Sequence, residues 1–396
     1  MVAKLISAER IDSLGMTNTV VHGLPRWSLA VPPLALVVLV LTWGRDLGAV
    51  LLVLVCAGLG AAVIAAVHHA EVVAHRVGEP FGTLILALAV TVIEVALIVT
   101  LMASGGDKAA SLARDTVFAA VMITCNGILG LSLVVGSLRH HVQEFRVRAS
   151  NSALTVMIAL VTLSLVLPTF TTSAPGPQFS PAQLAFAGVV SLVMYGVFVF
   201  VQTVRHRDYF LPVSSGTPSV QRHRDVDDAL TAVDEDDEEH AAAPSSKVAL
   251  LSLGLLFVCL VSVVGLAKTV SPKLESAVES AGAPVAVVGV VIALLVLLPE
   301  TVAAVRAALR NRLQTSVNLA LGSALASIGL TIPAIAIASI WLSGPLVLGL
   351  GGTEMVLFAL TVVTSMLTLA TGRATLLQGA VHLMVFSAFL FLAVSP

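Results

Sequence analysis

The chain has 396 residues, of which 57% are hydrophobic and 11% charged, and its formal net charge is −2. Soluble domains carry roughly one-quarter charged residues, so a soluble globular chain is excluded, and the near-neutral balance leaves no basic surface for a nucleic-acid partner. Apolar runs long enough to cross a bilayer recur along the whole length, which predicts an all-α polytopic membrane protein with the lipid bilayer as its surroundings.

In chain order, a cytoplasmic N-terminal segment (1–26) leads to a first apolar run that reads as a retained span rather than a cleaved signal. Eleven spans are predicted, near 27–43, 48–67, 81–103, 115–138, 152–170 and 182–204, then 247–270, 284–305, 315–342, 354–371 and 375–394. Between the sixth and seventh lies the one long polar segment, 205–246, whose acidic run "DEDDEEH" predicts a solvated linker. Cys56, Cys125 and Cys259 all fall in apolar runs, read as buried small hydrophobes, and have neither disulfide nor zinc spacing.

Lys and Arg set the orientation. With the N-terminus in the cytoplasm, 16 of the 21 basic residues fall in cytoplasmic segments and 5 on the opposite side. The acidic linker is then cytoplasmic and the C-terminus faces out.

One span, then five, then five suggests a leading helix followed by two halves, 48–204 and 247–396. Because five is odd, the halves have opposite orientation, as in the inverted repeats of secondary transporters. The segment "LALAVTVIEVALIV" (86–99) carries a carboxylate, Glu94, in the middle of hydrocarbon-compatible sequence. "IALLVLLPETVAAV" (292–305) aligns with it without gaps, five of fourteen positions match, and Glu94 falls on Glu300. A charge at mid-bilayer costs about 2.5–3.5 kcal/mol on insertion scales and marks a cavity or a partner. Recurrence at equivalent positions argues against two accidental packing residues.

The next span of each half is rich in small residues, and Asn126 of "CNGILGLSLVVG" (125–136) falls on Ser323 of "GSALASIGLTIP" (322–333). Both residues fit either interhelical hydrogen bonding or ion ligation. Pro299 should free a backbone carbonyl one turn before Glu300, whereas the first half has no equivalent proline. His68, Glu71, His75 and Glu79 form a stripe at helical spacing, readable as a cation or proton entry path or as a solvated helix face. His382, alone in the last span, reads as a packed, hydrogen-bonded residue, and Glu354 as an interfacial one.

"HHAEVVAHRVGEPFGTLILALAVTVIEVALI" and "LLPETVAAVRAALRNRLQTSVNLALGSALASIGLTIP" resemble the calcium/cation antiporter superfamily, and within it the ChaA-type bacterial calcium(sodium)/proton antiporters, relatives of the cation/proton exchangers. The resemblance implies a non-enzymatic antiporter of the bacterial cytoplasmic membrane without a resident cofactor, carrying Ca²⁺ (or Na⁺ or K⁺) against H⁺. It also implies that Glu94 and Glu300 are the essential carboxylates and that Asn126 and Ser323 complete the ion site. The chain departs from the exchangers' Gly-Asn-Ala-x-Glu pattern, with Thr91 and Leu297 at the Asn positions. Calcium takes six to eight oxygen ligands; Glu94, Glu300, Asn126, Ser323, Thr91, freed carbonyls and water are the expected donors. Two ionised carboxylates neutralise one divalent ion, and without it they repel each other and take up protons. Sodium would bind with one proton retained. An intramembrane hydrolase has no need of two equivalent inverted halves, and buried acids in both halves fit a channel less well than alternating access.

Overall fold

The computed structural model describes residues 20–21, 24–45, 48–78, 81–105, 110–205, 244–280, 282, 284, 286–341 and 344–395. Glu79 and most of the acidic linker lie outside the described residues. The described residues are all-α apart from two short two-stranded ladders, β1 (Val20–Val21) with β2 (Leu24–Pro25) and β3 (Gln143–Glu144) with β4 (Arg373–Ala374).

The helices are α1 (Arg26–Thr42), α2 (Ala49–Val77), α3 (Phe81–Gly105), α4 (Leu112–Met122), α5 (Leu129–His140), α6 (Val147–Val161), α7 (Pro181–Phe200), α8 (Ser246–Ser280), α9 (Ala286–Val296), α10 (Leu298–Leu309), α11 (Leu313–Ala338), α12 (Gly352–Ala370) and α13 (Leu376–Val394). Continuous apolar composition drives them, because a backbone in lipid must satisfy its own hydrogen bonds. Local chemistry sets several ends. Ser180 with Gln183 and Thr375 with Gln378 form capping boxes at the starts of α7 and α13. A π-helical turn, Ile123–Ile128, joins α4 to α5 as one membrane-length helix.

Eight described helices are long and apolar enough to cross a membrane, and α9 with α10 makes a ninth span bent by 52°. Arg26–Thr42 and Leu88–Ala103 are shorter apolar helices. The bend has a sequence cause. Pro299 lies in the first turn of α10 and donates no N–H, so the carbonyl one turn earlier loses its helical partner. The first half has no such break, and α3 runs unbroken through Glu94.

Contacts between connecting segments fall into two sets. At one end, Gln143 and His140 reach the 308–311 turn, β3 pairs with β4, and Arg76 donates to Ser246. At the other, Val347 N–H donates to Ala110 C=O, Gly349 N–H donates to Pro177 C=O, and Lys268 sits over the Trp43 ring. Each contact joins segments that the basic-residue count puts on the same side.

Among the described residues two large apolar cores fill the bundle, with a small third one around Ile98, Leu184 and Ile335. The larger gathers α4–α7 and α9–α13, with Val117, Leu133, Met157 and Leu325 buried. The other gathers α1, α2, α3, α8 and α9, with Val63, Ile93, Val263 and Ile292 buried. Glycines let helices meet closely where no side chain would fit. A Cβ on Gly130 would lie 2.9 Å from the His382 Cβ, and one on Gly289 would lie 3.0 Å from the Thr116 nitrogen. Of the cysteines, Cys125 and Cys259 are buried as expected, but Cys56 is exposed on α2, because the apolar run around it faces outward.

Candidate functional site

Glu94 sits in the middle of α3 and is 4% exposed. Its carboxylate is held from across the bundle by α11, where the Ser327 hydroxyl lies 2.6 Å from Oε1 and 2.7 Å from Oε2. Ser327 is itself buried. Thr91, one turn before Glu94 on α3, is also buried.

Glu300 occupies the first turn of α10, just past the Pro299 bend, where unpaired helical N–H groups favour a negative group. Its Oε2 is buried without a hydrogen-bond partner among the described residues. The carboxylates of Glu94 and Glu71 both lie within coulombic reach of it. Acids from both halves of the chain thus lie within electrostatic reach of one another, Glu94 clamped by a hydroxyl and Glu300 with an unpaired buried oxygen.

The other expected residues are placed as follows. Ser323 is half-buried on α11, one turn before Ser327, and it is Ser327 that touches Glu94. Asn126, in the π turn, is fully buried and its amide is engaged elsewhere. Nδ2 donates to Thr361 Oγ1 (2.9 Å), and Oδ1 lies 3.1 Å from His382 Nδ1. His382 Nε2 lies 3.1 Å from Thr368 Oγ1, so this histidine is packed and hydrogen-bonded. Thr361 Oγ1 already donates to Leu357 C=O, so it accepts from Asn126. Asn126 Oδ1 then faces an Nδ1–H, and Nε2 accepts from Thr368 when the ring is neutral.

Along α2, His68 lies against Trp27 (centroids 5.0 Å apart), whereas Glu71 and His75 are exposed. His69, which carried no sequence signal, is the fully buried histidine there, with Nε2 2.9 Å from Ser28 C=O. Among the described residues no three His, Cys, Asp or Glu side chains gather closely enough to hold a metal ion.

Sequence reasoning missed Ser327, because the gapless alignment singled out the serine that fell opposite Asn126. One signal was available: Ser323 and Ser327 are four residues apart and so share a helix face.

Comparison with known proteins agrees with this architecture. The sodium/calcium exchanger protein family matches residues 47–204 and 251–395. A putative ionic transporter, y4hA of Sinorhizobium fredii, is 48% identical over 94% of this chain and 97% of its own length. The sodium-potassium/proton antiporter ChaA of Escherichia coli is 37% identical over 92% of this chain and 94% of its own. Among solved structures, native YfkE superposes with a TM-score of 0.68 at 18% identity, covering 94% of this chain and 99% of that one. The H⁺/Ca²⁺ exchanger CAX superposes with a TM-score of 0.64 at 15% identity, covering 92% and 87%. These likenesses extend over both halves, and the chain belongs to the sodium/calcium exchanger protein family, within the calcium/cation antiporter superfamily.

Proposed function

We propose that this integral membrane protein exchanges Ca²⁺ for H⁺ across the bacterial cytoplasmic membrane, with Glu94 and Glu300 as ligands shared by the cation and the protons. The observation that supports the reading is that Glu94, from the first half and buried, lies within electrostatic reach of Glu300, from the second, which keeps a buried oxygen without a partner among the described residues. Two ionised carboxylates balance one divalent ion. Once the ion leaves, two like charges in a low dielectric are disfavoured and protons replace it. Cation and protons then exclude one another, and exclusion at a single site is what couples their opposite movements. Thr91 and Ser323, on the same helices as Glu94 and Ser327, supply further oxygens. Asn126, with its amide engaged by Thr361 and His382, serves the packing of the π turn in this conformation. The α2 stripe of His68, Glu71 and His75, continued by Glu79, forms the cytoplasmic approach.

In this reading eleven spans comprise a leading helix and two inverted five-helix halves, 48–204 and 247–396, with the N-terminus in the cytoplasm and the C-terminus outside. The two segments matched by the family support those boundaries. Rocking of the inverted halves exposes the site to each side in turn.

A second reading, exchange of Na⁺ or K⁺ for H⁺ with one carboxylate keeping its proton, is favoured by the sodium-potassium/proton antiport for which the 37% identical relative is named. Purified protein in proteoliposomes holding an imposed pH gradient separates the two. Saturable collapse of the gradient on adding Ca²⁺ is the expected result. Collapse with Na⁺ or K⁺ alone would favour the second reading, and no collapse with any of the three would overturn proton-coupled antiport.

A further inference from the structure

The helix that carries Glu300 is short, and its far end is held by the other half of the chain. α10 has only 12 residues. An α-helix leaves its last carbonyls without intrahelical partners. The turn that follows, with Asn311 at φ 60, returns N–H groups to Arg306, Ala307 and Ala308. Leu309 C=O receives none of these bonds. It is met by His140 Nε2 at 2.9 Å, so that nitrogen carries the proton. Ala308 C=O is met by Gln143 Nε2 at 2.8 Å, and the same amide lies 3.1 Å from Asn311 Oδ1. Gln143 is 1% exposed. Gly136 on α5 makes room for it, since a Cβ there would collide with the amide. The same segment is fixed again by Phe145 N–H to Gly372 C=O and by Arg146 N–H to the Gln314 side chain at the start of α11.

The bend at Pro299 also separates a helix shared by the two large cores from one that packs into the larger alone. α9 contributes Val288 and Ile292 to the core built on α2 and α8 and Val290 and Ala293 to the larger core, whereas α10 contributes Ala304 and Ala308 to the larger core. From this arrangement we infer that His140 and Gln143 are positioning residues that cap α10 in trans. They anchor Glu300 to the larger core, and the cap stays closed throughout the exchange cycle. The inference rests on Glu300 being a transport carboxylate, as proposed above. A rigid tether at the cytoplasmic end of α10 fixes where its first turn, and so Glu300, stands relative to α11 and the Ser327–Glu94 pair.

The test uses full-length protein in proteoliposomes. Gln143→Glu keeps the size of the side chain and removes its N–H donors. It is expected to raise the apparent KM for the transported cation by roughly tenfold, the order expected for a lost buried cap, with the maximal rate near wild type. Gln143→Cys with Asn311→Cys, in a Cys56→Ala background, can be bridged by a short bifunctional thiol reagent. The bridged protein should keep transporting, with its KM brought back toward wild type, because the link replaces the cap. A purely structural contact would lower the amount of folded protein without a KM change that bridging reverses. An unchanged KM in Gln143→Glu would overturn the inference, and so would a bridge that halts exchange, since the cap would then have to open. If Gln143→Glu fails to reach the membrane, His140→Ala removes the Leu309 cap alone and is read in the same way. Wild-type protein measured in parallel isolates the other failure, for absence of any cation exchange there counts against the proposed function and not against the anchor.

Discussion

Ser327→Ala is the most direct probe of the site, because one hydroxyl holds both oxygens of Glu94. The contacts are 2.6 and 2.7 Å, with the two residues 3% and 4% exposed, so in this conformation the bond is shielded from bulk water. A hydrogen bond to a charged group is worth about 1.5–3 kcal/mol, and a buried group stripped of its partner loses at least that much. At about 1.4 kcal/mol for each factor of ten, the range corresponds to roughly 10- to 150-fold in affinity. A bound cation draws charge from the carboxylate and weakens the bond, so only part of that energy differs between the free and loaded states. The expected outcome is therefore the lower end, about a tenfold rise in apparent KM. Ser327→Thr, which keeps the hydroxyl, should restore most of the affinity. The assay is initial-rate cation flux in proteoliposomes, with a melting curve of the solubilised protein to exclude misfolding. An unchanged KM in a well-folded Ser327→Ala protein would refute the claim that this hydroxyl organises Glu94. A lower KM would show instead that the hydroxyl competes with the cation.

Glu94→Gln and Glu300→Gln should each abolish exchange while expression and insertion persist, because removing a mid-membrane charge lowers the insertion cost; substantial flux in either would sink the two-carboxylate site. Lowering the pH on the loading side should raise the apparent KM for Ca²⁺ more than it changes the maximal rate, since protons occupy the same oxygens and saturating ion displaces them. A pH-independent KM, measured with the membrane potential clamped, would point to a separate proton path. Deleting residues 225–240 from the acidic linker should preserve maximal exchange and alter at most the apparent Ca²⁺ affinity on the cytoplasmic side, and complete loss of transport in a well-expressed deletion would show that the segment is more than a linker.

Much of the fold was legible because a bilayer imposes one rule on every segment. Each predicted apolar run coincides with a described helix or bent helix pair. Pro299 announced the bend in the second half because proline removes a named backbone donor. The carboxylates were legible for the same reason, since a charge in hydrocarbon is conspicuous. Their partners were not. Ser327 and Ser323 sit one turn apart on the same helix, and only packing against α3 decides which of them meets Glu94. Asn126 was singled out because it falls opposite Ser323, with hydrogen bonding and ion ligation both open. Its amide is engaged here by Thr361 and His382, which lie 235 and 256 residues away, a pairing that no local pattern contains. Likewise His140 and Gln143 carry no motif, and their role comes from the turn that brings them to the end of α10.

The two halves match at Glu94 and Glu300, yet the structure makes those carboxylates unequal. Glu94 stands in an unbroken helix with both oxygens against Ser327. Glu300 stands beyond a 52° bend, in the first turn of a separate helix, with one buried oxygen that has no partner among the described residues. An ion or proton arriving at Glu300 meets an open lone pair, whereas one arriving at Glu94 must share oxygens with a hydroxyl already bound. Rearrangement costs less at the first than at the second. Shortening each acid by one methylene should expose the difference. Glu94→Asp draws the carboxylate away from Ser327 and loses a charge-assisted bond of about 1.5–3 kcal/mol, whereas Glu300→Asp loses no described side-chain partner. Apparent cation affinity should therefore fall further in Glu94→Asp, by about tenfold on the energies used above. In Ser327→Ala protein, where Glu94 has already lost its partner, the two Asp variants should converge. Equal losses in the wild-type background would mean that the clamp on Glu94 does not survive into the state that binds the ion.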